Sequence, residues 1–244
     1  MTRPEILKFL GIEANRVSHT EKLISAAGGF AGILLTIVVC TYFLEIDQAI
    51  LIIPSMGASA VLLFAVPHSA MAQPWSLVGG HLVSAFIGVS CALLIPSPAV
   101  AAAAAVGFAI GAMYYARCIH PPGGATALAA VIGGSSVSTL GYQFLLTPVL
   151  INVLVILLVA VLFNVLFRWR RYPAYWFMEV DLPIQARDDG YEPIEHADLV
   201  YALSQIDSFI DVSEEDLLRI YDLATGRHTR AAWQAGEARD DASH

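Results

Sequence analysis

Residues 54–61 read Pro54-Ser55-Met56-Gly57-Ala58-Ser59-Ala60-Val61, and residues 121–128 read Pro121-Pro122-Gly123-Gly124-Ala125-Thr126-Ala127-Leu128. Set at an offset of 67, the two stretches share the pattern Pro-x-x-Gly-Ala-Ser/Thr-Ala-aliphatic. Each is preceded by an apolar segment with a Gly-xxx-Gly pair, Gly28/Gly32 before the first and Gly107/Gly111 before the second. Each is followed by a turn-rich linker and another long apolar segment. The order helix, Pro-Gly segment, helix, met twice, predicts an all-α chain whose main part is two homologous repeats.

Outward from these stretches, charge is almost absent. Between Asp47 and Arg168 the only Asp, Glu, Lys or Arg is Arg117. The whole chain of 244 residues is 57% hydrophobic and 14% charged, with a mean hydropathy of +0.66. A soluble domain carries about 25% charged residues, so the surrounding solvent is lipid and the protein is polytopic. About 20 apolar residues are needed to cross a bilayer. Ile24–Leu44, Leu77–Ile95, Ala99–Ala116 and Leu145–Phe167 qualify. The last is closed by Arg168, Arg170 and Arg171, with Trp169, Tyr172, Tyr175 and Trp176 as an expected interfacial belt.

Topology turns on whether the Pro-Gly segments cross. Two crossings give six spans in inverted three-span repeats; two re-entrant segments give four spans and parallel repeats. Both arrangements leave the N-terminus and the arginines at 168–171 inside. Six spans put Arg117 inside as well, in line with the positive-inside rule, and are favoured on that ground.

The ends are different. Residues 1–22 alternate acids and bases and predict a cytoplasmic amphipathic leader, with Ile6, Leu7, Phe9 and Leu10 on the membrane surface. Repeat 1 takes residues 23–97 and repeat 2 takes 98–178. From Glu179 onward there are 16 acidic and 5 basic residues, so the formal net charge of −8 belongs to this tail, and no nucleic-acid patch exists. Residues 179–230 are expected to form short cytoplasmic helices, with 195–226 the part able to meet a cytoplasmic protein partner, and residues 231–244 to be disordered. Cys40, Cys91 and Cys118 lack a second Cys or a His at ligand spacing, so no disulfide and no metal or other cofactor is expected.

The chemistry of the Pro-Gly segments comes from backbone geometry. A proline removes a donor and clashes with the preceding turn. Breaks are therefore expected at Pro54, Pro121 and Pro122, each opening a half-helix whose first N–H groups lie unpaired within the membrane. Such an end carries about half a positive charge and aims its donors outward. Two of them would face one midplane site, as in transporters with discontinuous helices. The candidate substrate-binding residues are Ser55, Met56, Gly57 and Ser59 from the first segment, and His120, Gly123, Gly124 and Thr126 from the second, with Arg117 as a full positive charge. No Asp or Glu lies between Asp47 and Glu179. Cation paths usually need such residues, so a small anion is the expected cargo.

The string His120-Pro-Pro-Gly-Gly-Ala-Thr-Ala-Leu128, with Arg117 upstream, resembles the signature of the HPP family of integral membrane proteins. The similarity takes in most of residues 25–170, including Met56-Gly-Ala-Ser-Ala60 and Ala72-Gln-Pro74 through Gly79-Gly-His81. It implies a nitrite-type transporter, and it implies four spans where the reading from Arg117 favours six. The acidic tail is similar to the C-terminal extension of this domain in some bacterial members. The protein is expected in a bacterial inner membrane with both termini cytoplasmic, as a homo-oligomer in contact with lipid.

Plainer roles stand beside these. Arg117 also fits an interface residue obeying the positive-inside rule, and His120 a residue that only fixes the helix break. His81, one turn before Ser84, reads as a buried polar tie between helices, and Gln73 and Asn152 as interhelical hydrogen-bonding residues. Ser59 resembles a nucleophile setting, but its counterpart Thr126 argues against catalysis, since a nucleophile has no reason to be duplicated. No enzyme is expected. Two other functions compete with transport of an anion: a membrane-anchored sensor or scaffold acting through its acidic tail, and a pore for a neutral small solute.

Overall fold

The computed structural model describes residues 17–43, 46–170 and 172–177. The expected tail and most of the leader lie outside the described residues. Those described are helical: α1 (His19–Phe43), α2 (Ile46–Ala65), α3 (Pro74–Leu94), α4 (Pro98–Tyr115), α5 (Pro121–Ile132), α6 (Gly134–Leu140) and α7 (Ile151–Val165). A short 3₁₀ turn, Ala70–Ala72, precedes α3, and another, Ala174–Phe177, comes after α7.

Helix starts obey local chemistry. Ser18 opens α1 by accepting from the Glu21 backbone N–H at 3.1 Å, which satisfies one orphan donor of the first turn. α3, α4 and α5 each begin on a proline, where a missing N–H costs nothing and the fixed φ suits the helix. Pro148 lies in the irregular Leu145–Leu150 turn before α7, where Thr147 leaves helical geometry.

Pro54 departs from expectation. It lies inside α2, which continues from Ile46 to Ala65, so no half-helix starts there. An interior proline removes one ladder hydrogen bond, but a membrane helix tolerates the loss when neighbouring helices hold it. Ile52, Met56, Ala60, Leu63 and Phe64 of α2 do this, buried against Leu77, Ala85 and Val89 of α3 and Val153, Ile156 and Ala160 of α7.

Side-chain bonds fix the helix directions. Arg170 donates to Glu21 at 2.6 Å and to the Phe64 carbonyl at 3.0 Å, gathering the start of α1, the end of α2 and the chain beyond α7. Trp75 donates to the Ala116 carbonyl at 3.1 Å, so α3 starts where α4 ends. At the opposite end Ser90 meets Tyr142 at 3.1 Å, and Cys40 meets Asn152 at 2.6 Å across α1 and α7. Among the described residues, Lys22, Arg117, Arg168 and Arg170 all belong to the first set of helix ends. One end of the bundle is basic.

Four helices are long and apolar enough to cross a membrane: His19–Tyr42, Pro74–Leu94, Pro98–Tyr115 and Leu145–Val165. The part Ile52–Ala65 of α2, and α5, Pro121–Ile132, are shorter apolar stretches. The expected count of six is thus not met by length, because the 12 residues of α5 rise only about 18 Å against a core of about 30 Å. Two further expectations change. Tyr172 is no belt residue: it is fully buried and donates to the Ala72 carbonyl at 2.9 Å. Of the Gly-xxx-Gly pairs, Gly28 and Gly32 lie against the Phe64 ring, whereas Gly107 and Gly111 face open space.

Candidate functional site

A close helix contact sets the site. α3 and α5 meet through glycines, with Gly80 and Gly88 on one and Gly123 on the other. A Cβ on Gly80 would lie 2.5 Å from the His120 Cβ, and one on Gly88 2.6 Å from the Ala127 carbonyl oxygen. A Cβ on Gly123 would lie 2.7 Å from Ser84 Oγ and 2.8 Å from the Gly80 carbonyl oxygen. Small residues let membrane helices approach this closely. The approach brings His81 of α3 beside His120, the N-cap of α5, with ring centroids 4.9 Å apart.

α2 closes the third side. Ser55, Ser59, His81, His120 and Thr126 are each at most 1% exposed. Ser59 Oγ sits 2.9 Å from His81 Nε2 and 2.9 Å from His120 Nε2. His81 Nδ1 is 2.7 Å from Thr126 Oγ1, which is 2.6 Å from Ser55 Oγ. His120 Nδ1 is 2.8 Å from the Met71 carbonyl oxygen.

That carbonyl determines where every proton lies when both imidazoles are neutral. A carbonyl only accepts, so His120 Nδ1 carries hydrogen and His120 Nε2 is an acceptor. Ser59 must then donate to His120 Nε2 and accept from His81 Nε2–H. His81 Nδ1 is left as an acceptor for the Thr126 hydroxyl, and Thr126 accepts from Ser55. The second contact of His81 Nδ1, to Ser55 at 3.5 Å, is too long to compete. The chain runs in one direction, Ser55 to Thr126 to His81 to Ser59 to His120 to Met71, with each link satisfied.

The structure brings Ser55, Ser59, His120 and Thr126 together, and the two Pro-Gly segments do face each other: Ser55 Oγ also reaches the Pro122 carbonyl at 3.3 Å. The other candidates fall elsewhere. Met56 is fully buried in the apolar core and Gly123 is pressed on α3. Gly57 and Gly124 border open space. Arg117 is exposed at the turn after α4, with φ 53.

The expected pair of free helix ends is absent. Pro54 opens no helix. At α5 the prolines at its first two positions have no N–H to offer, and the Gly123 N–H returns to the His120 carbonyl at 2.8 Å. The same residues that break the chain also remove its orphan donors.

His81 completes the cluster as a tie between α2, α3 and α5. The sequence signal for it was a lone imidazole in an apolar helix, directly after two glycines. The Met71 carbonyl had no signal at all. Among the described residues, no three His, Cys, Asp or Glu side chains gather as a metal ion would need.

Four helices long and apolar enough to cross a membrane, with a buried polar cluster where one of them meets the two shorter apolar stretches, define a multi-pass α-helical membrane protein. The family described as HPP, transmembrane region, matches residues 14–173, and the chain belongs to that family. It is 41% identical over 134 residues to each of two Dictyostelium discoideum proteins named as transmembrane proteins. The matched part covers 53% of this chain and 43% and 47% of the two relatives. The chain thus spans less than half the length of the relatives it matches. No solved structure matches it.

Proposed function

We propose that the protein carries a small monovalent anion of the nitrite type across a membrane, handling it at the Ser55–Ser59–His81–His120–Thr126 cluster. The observation that carries this reading is the cluster's composition. Five polar side chains with hydroxyl and imidazole donors are buried between membrane helices, where polar groups are costly and usually functional. None of them is a carboxylate. An anion replacing one link finds several donors and no repelling charge. The resemblance to nitrite-type transporters supports the same choice of cargo.

In this reading the basic end of the bundle faces the cytoplasm, the membrane is the bacterial inner membrane, and the chain enters and leaves the bilayer from the cytoplasmic side. The cluster lies nearer that end, because His120 bonds the connection between α2 and α3.

Flux of nitrite, nitrate, formate and chloride into proteoliposomes, against protein-free vesicles, tests the reading. Ser59→Ala removes the link between the imidazoles and should lower nitrite flux about tenfold or more, as expected for one lost hydrogen bond to a charged group. Ser90→Ala, whose hydroxyl meets Tyr142 outside the cluster, should leave flux unchanged. No flux of any of the four anions above background, or equal flux in Ser59→Ala, ends the proposal.

A further inference from the structure

Two hydroxyls of the cluster have a second acceptor. Ser59 Oγ is 3.1 Å from the Ser55 carbonyl oxygen and Ser55 Oγ is 3.3 Å from that of Pro122. A hydroxyl that turns its hydrogen to such a carbonyl frees a lone pair towards its neighbour in the chain. The cluster can therefore gain a proton without leaving a buried polar group unpaired. With His120 as imidazolium after that uptake, its Nδ1–H donates to Met71 and its Nε2–H to Ser59, Ser59 donates to the now bare Nε2 of His81, His81 Nδ1–H to Thr126, Thr126 to Ser55, and Ser55 to the Pro122 carbonyl.

We propose that this chain is a proton site and that the anion crosses together with one proton. The inference rests on the transport reading above and deepens it by naming the co-transported ion.

The electrostatics favour pairing. A lone imidazolium buried among apolar helices is costly, and so is a lone anion. Each charge offsets the other, so binding of either raises affinity for its partner by the same factor. The cluster obtains a positive charge only when an anion is there to meet it, which Lys or Arg would not allow.

The surrounding titratable groups leave this arrangement alone. From α1 and the chain after α7 come Glu21 and Arg170, paired at 2.6 Å. Tyr172 from the same segment donates to Ala72, and burial holds its phenol above the ordinary range. Cys118, from the turn before α5, lies 3.0 Å from where a Gly79 Cβ would be, and Arg117 beside it is exposed. α3 adds His81 and Cys91, the latter buried against α4 and α5. α4 adds the exposed Tyr114 and Tyr115. Apart from His81, which belongs to the cluster, none of these side chains is bonded to one of its members.

The transfer balances. A proton taken up on Ser55 Oγ displaces that hydroxyl's own proton to Thr126, Thr126's to His81 Nδ1, the Nε2 proton of His81 to Ser59, and Ser59's to His120 Nε2. Each of the first four groups gains one bond to hydrogen and loses one. Only His120 ends with an extra proton. The Met71 carbonyl accepts a hydrogen bond and has no proton to pass on, so the proton rests at His120 until Nδ1 leaves that carbonyl and releases it to water.

The test uses the full chain in proteoliposomes, with labelled nitrite outside and a pH-sensitive dye inside. A proton gradient and a potassium–valinomycin potential are imposed separately. The expected result is nitrite uptake accelerated about tenfold by acid outside, a typical coupling factor, and unmoved by potential, since one proton and one monovalent anion carry no net charge. His120→Gln keeps a donor for Met71 and an acceptor for Ser59 but does not titrate, and should lose the proton-gradient drive. Wild-type uptake that responds to potential and ignores the proton gradient overturns the inference and leaves anion transport standing. Full proton drive in His120→Gln also overturns it. If no nitrite enters but an acid jump outside still reaches the dye above protein-free vesicles, the proton site stands and the anion reading falls. If neither moves, both fall.

Discussion

In α2 the proline at 54 lies well inside a continuous helix, whereas in α5 the prolines at 121 and 122 are its first two residues. One sequence pattern has produced two backbones, and the neighbours explain the difference. α2 is held by α1, α5 and α7 and ends in carbonyls that other side chains serve: Asn164 donates to Leu63 at 3.1 Å and Arg170 to Phe64 at 3.0 Å. α5 begins on residues with no N–H to serve. The first segment has its free backbone groups met from outside, and the second has them removed by its own covalent structure. The two share a hydroxyl at the matched position, Ser59 or Thr126, and both hydroxyls bind His81.

The largest effect comes from breaking the outside support of the first segment. Arg170 is fully buried, bonded to Glu21, Ser25, Asn164 and the Phe64 carbonyl, and its guanidinium stands 5.9 Å from the Phe167 ring centre. Arg170→Met leaves Glu21 as a buried, unmatched carboxylate and returns an orphan carbonyl to α2. Removing one partner of a buried pair costs about 3–5 kcal/mol. The measurement is the thermal unfolding midpoint in detergent, which should fall far more than for any change near Arg117. An unmoved midpoint would mean that α2 needs no support at its end.

Next in size is a change that sharpens the contrast at the glycines. Gly80→Ala forces a methyl to within 2.5 Å of the His120 Cβ and 3.0 Å of the Cys118 carbonyl oxygen. Overpacking of this kind costs about 1–3 kcal/mol, and the displaced imidazole loses its place in the cluster. Gly57→Ala adds a methyl to α2 with nothing within 4 Å and should gain up to about 1 kcal/mol from helix propensity. The pair is read as opposite shifts in the unfolding midpoint. A loss of equal size in both would show that the α3–α5 contact is no closer than the rest.

Hydropathy and local chemistry account for the four apolar spans and the polar residues Ser55, Ser59 and Thr126, and the spans are found within a few residues of their expected bounds. The fate of Pro54 was not legible in the same way, because whether a proline ends a helix depends on the side chains packed around it, and packing is a property of the whole bundle. The free helix ends failed for a local reason that was present in the letters: consecutive prolines open a helix but have no N–H. His81 read as a tie between helices. That it joins both Pro-Gly segments required the Gly80–Gly123 approach, which no single stretch reveals.

The smallest effect concerns Arg117, and it decides whether the second segment needs a charge beside it. The turn after α4 closes with Cys118 N–H on the Met113 carbonyl at 3.0 Å and Arg117 N–H on that of Tyr114 at 3.1 Å, the pattern of a helix terminated by a left-handed residue. Arg117 holds that position at φ 53, where glycine is usual and another residue costs about 1 kcal/mol. Arg117→Gly should therefore raise stability by about that amount and leave nitrite flux at the wild-type rate, since the side chain is exposed and absent from the cluster. Arg117→Ala keeps the left-handed strain and should change neither quantity. A fall in flux in both variants, with stability intact, would return the guanidinium to the anion's path and make charge, not hydroxyl and imidazole chemistry, the feature that separates the second segment from the first.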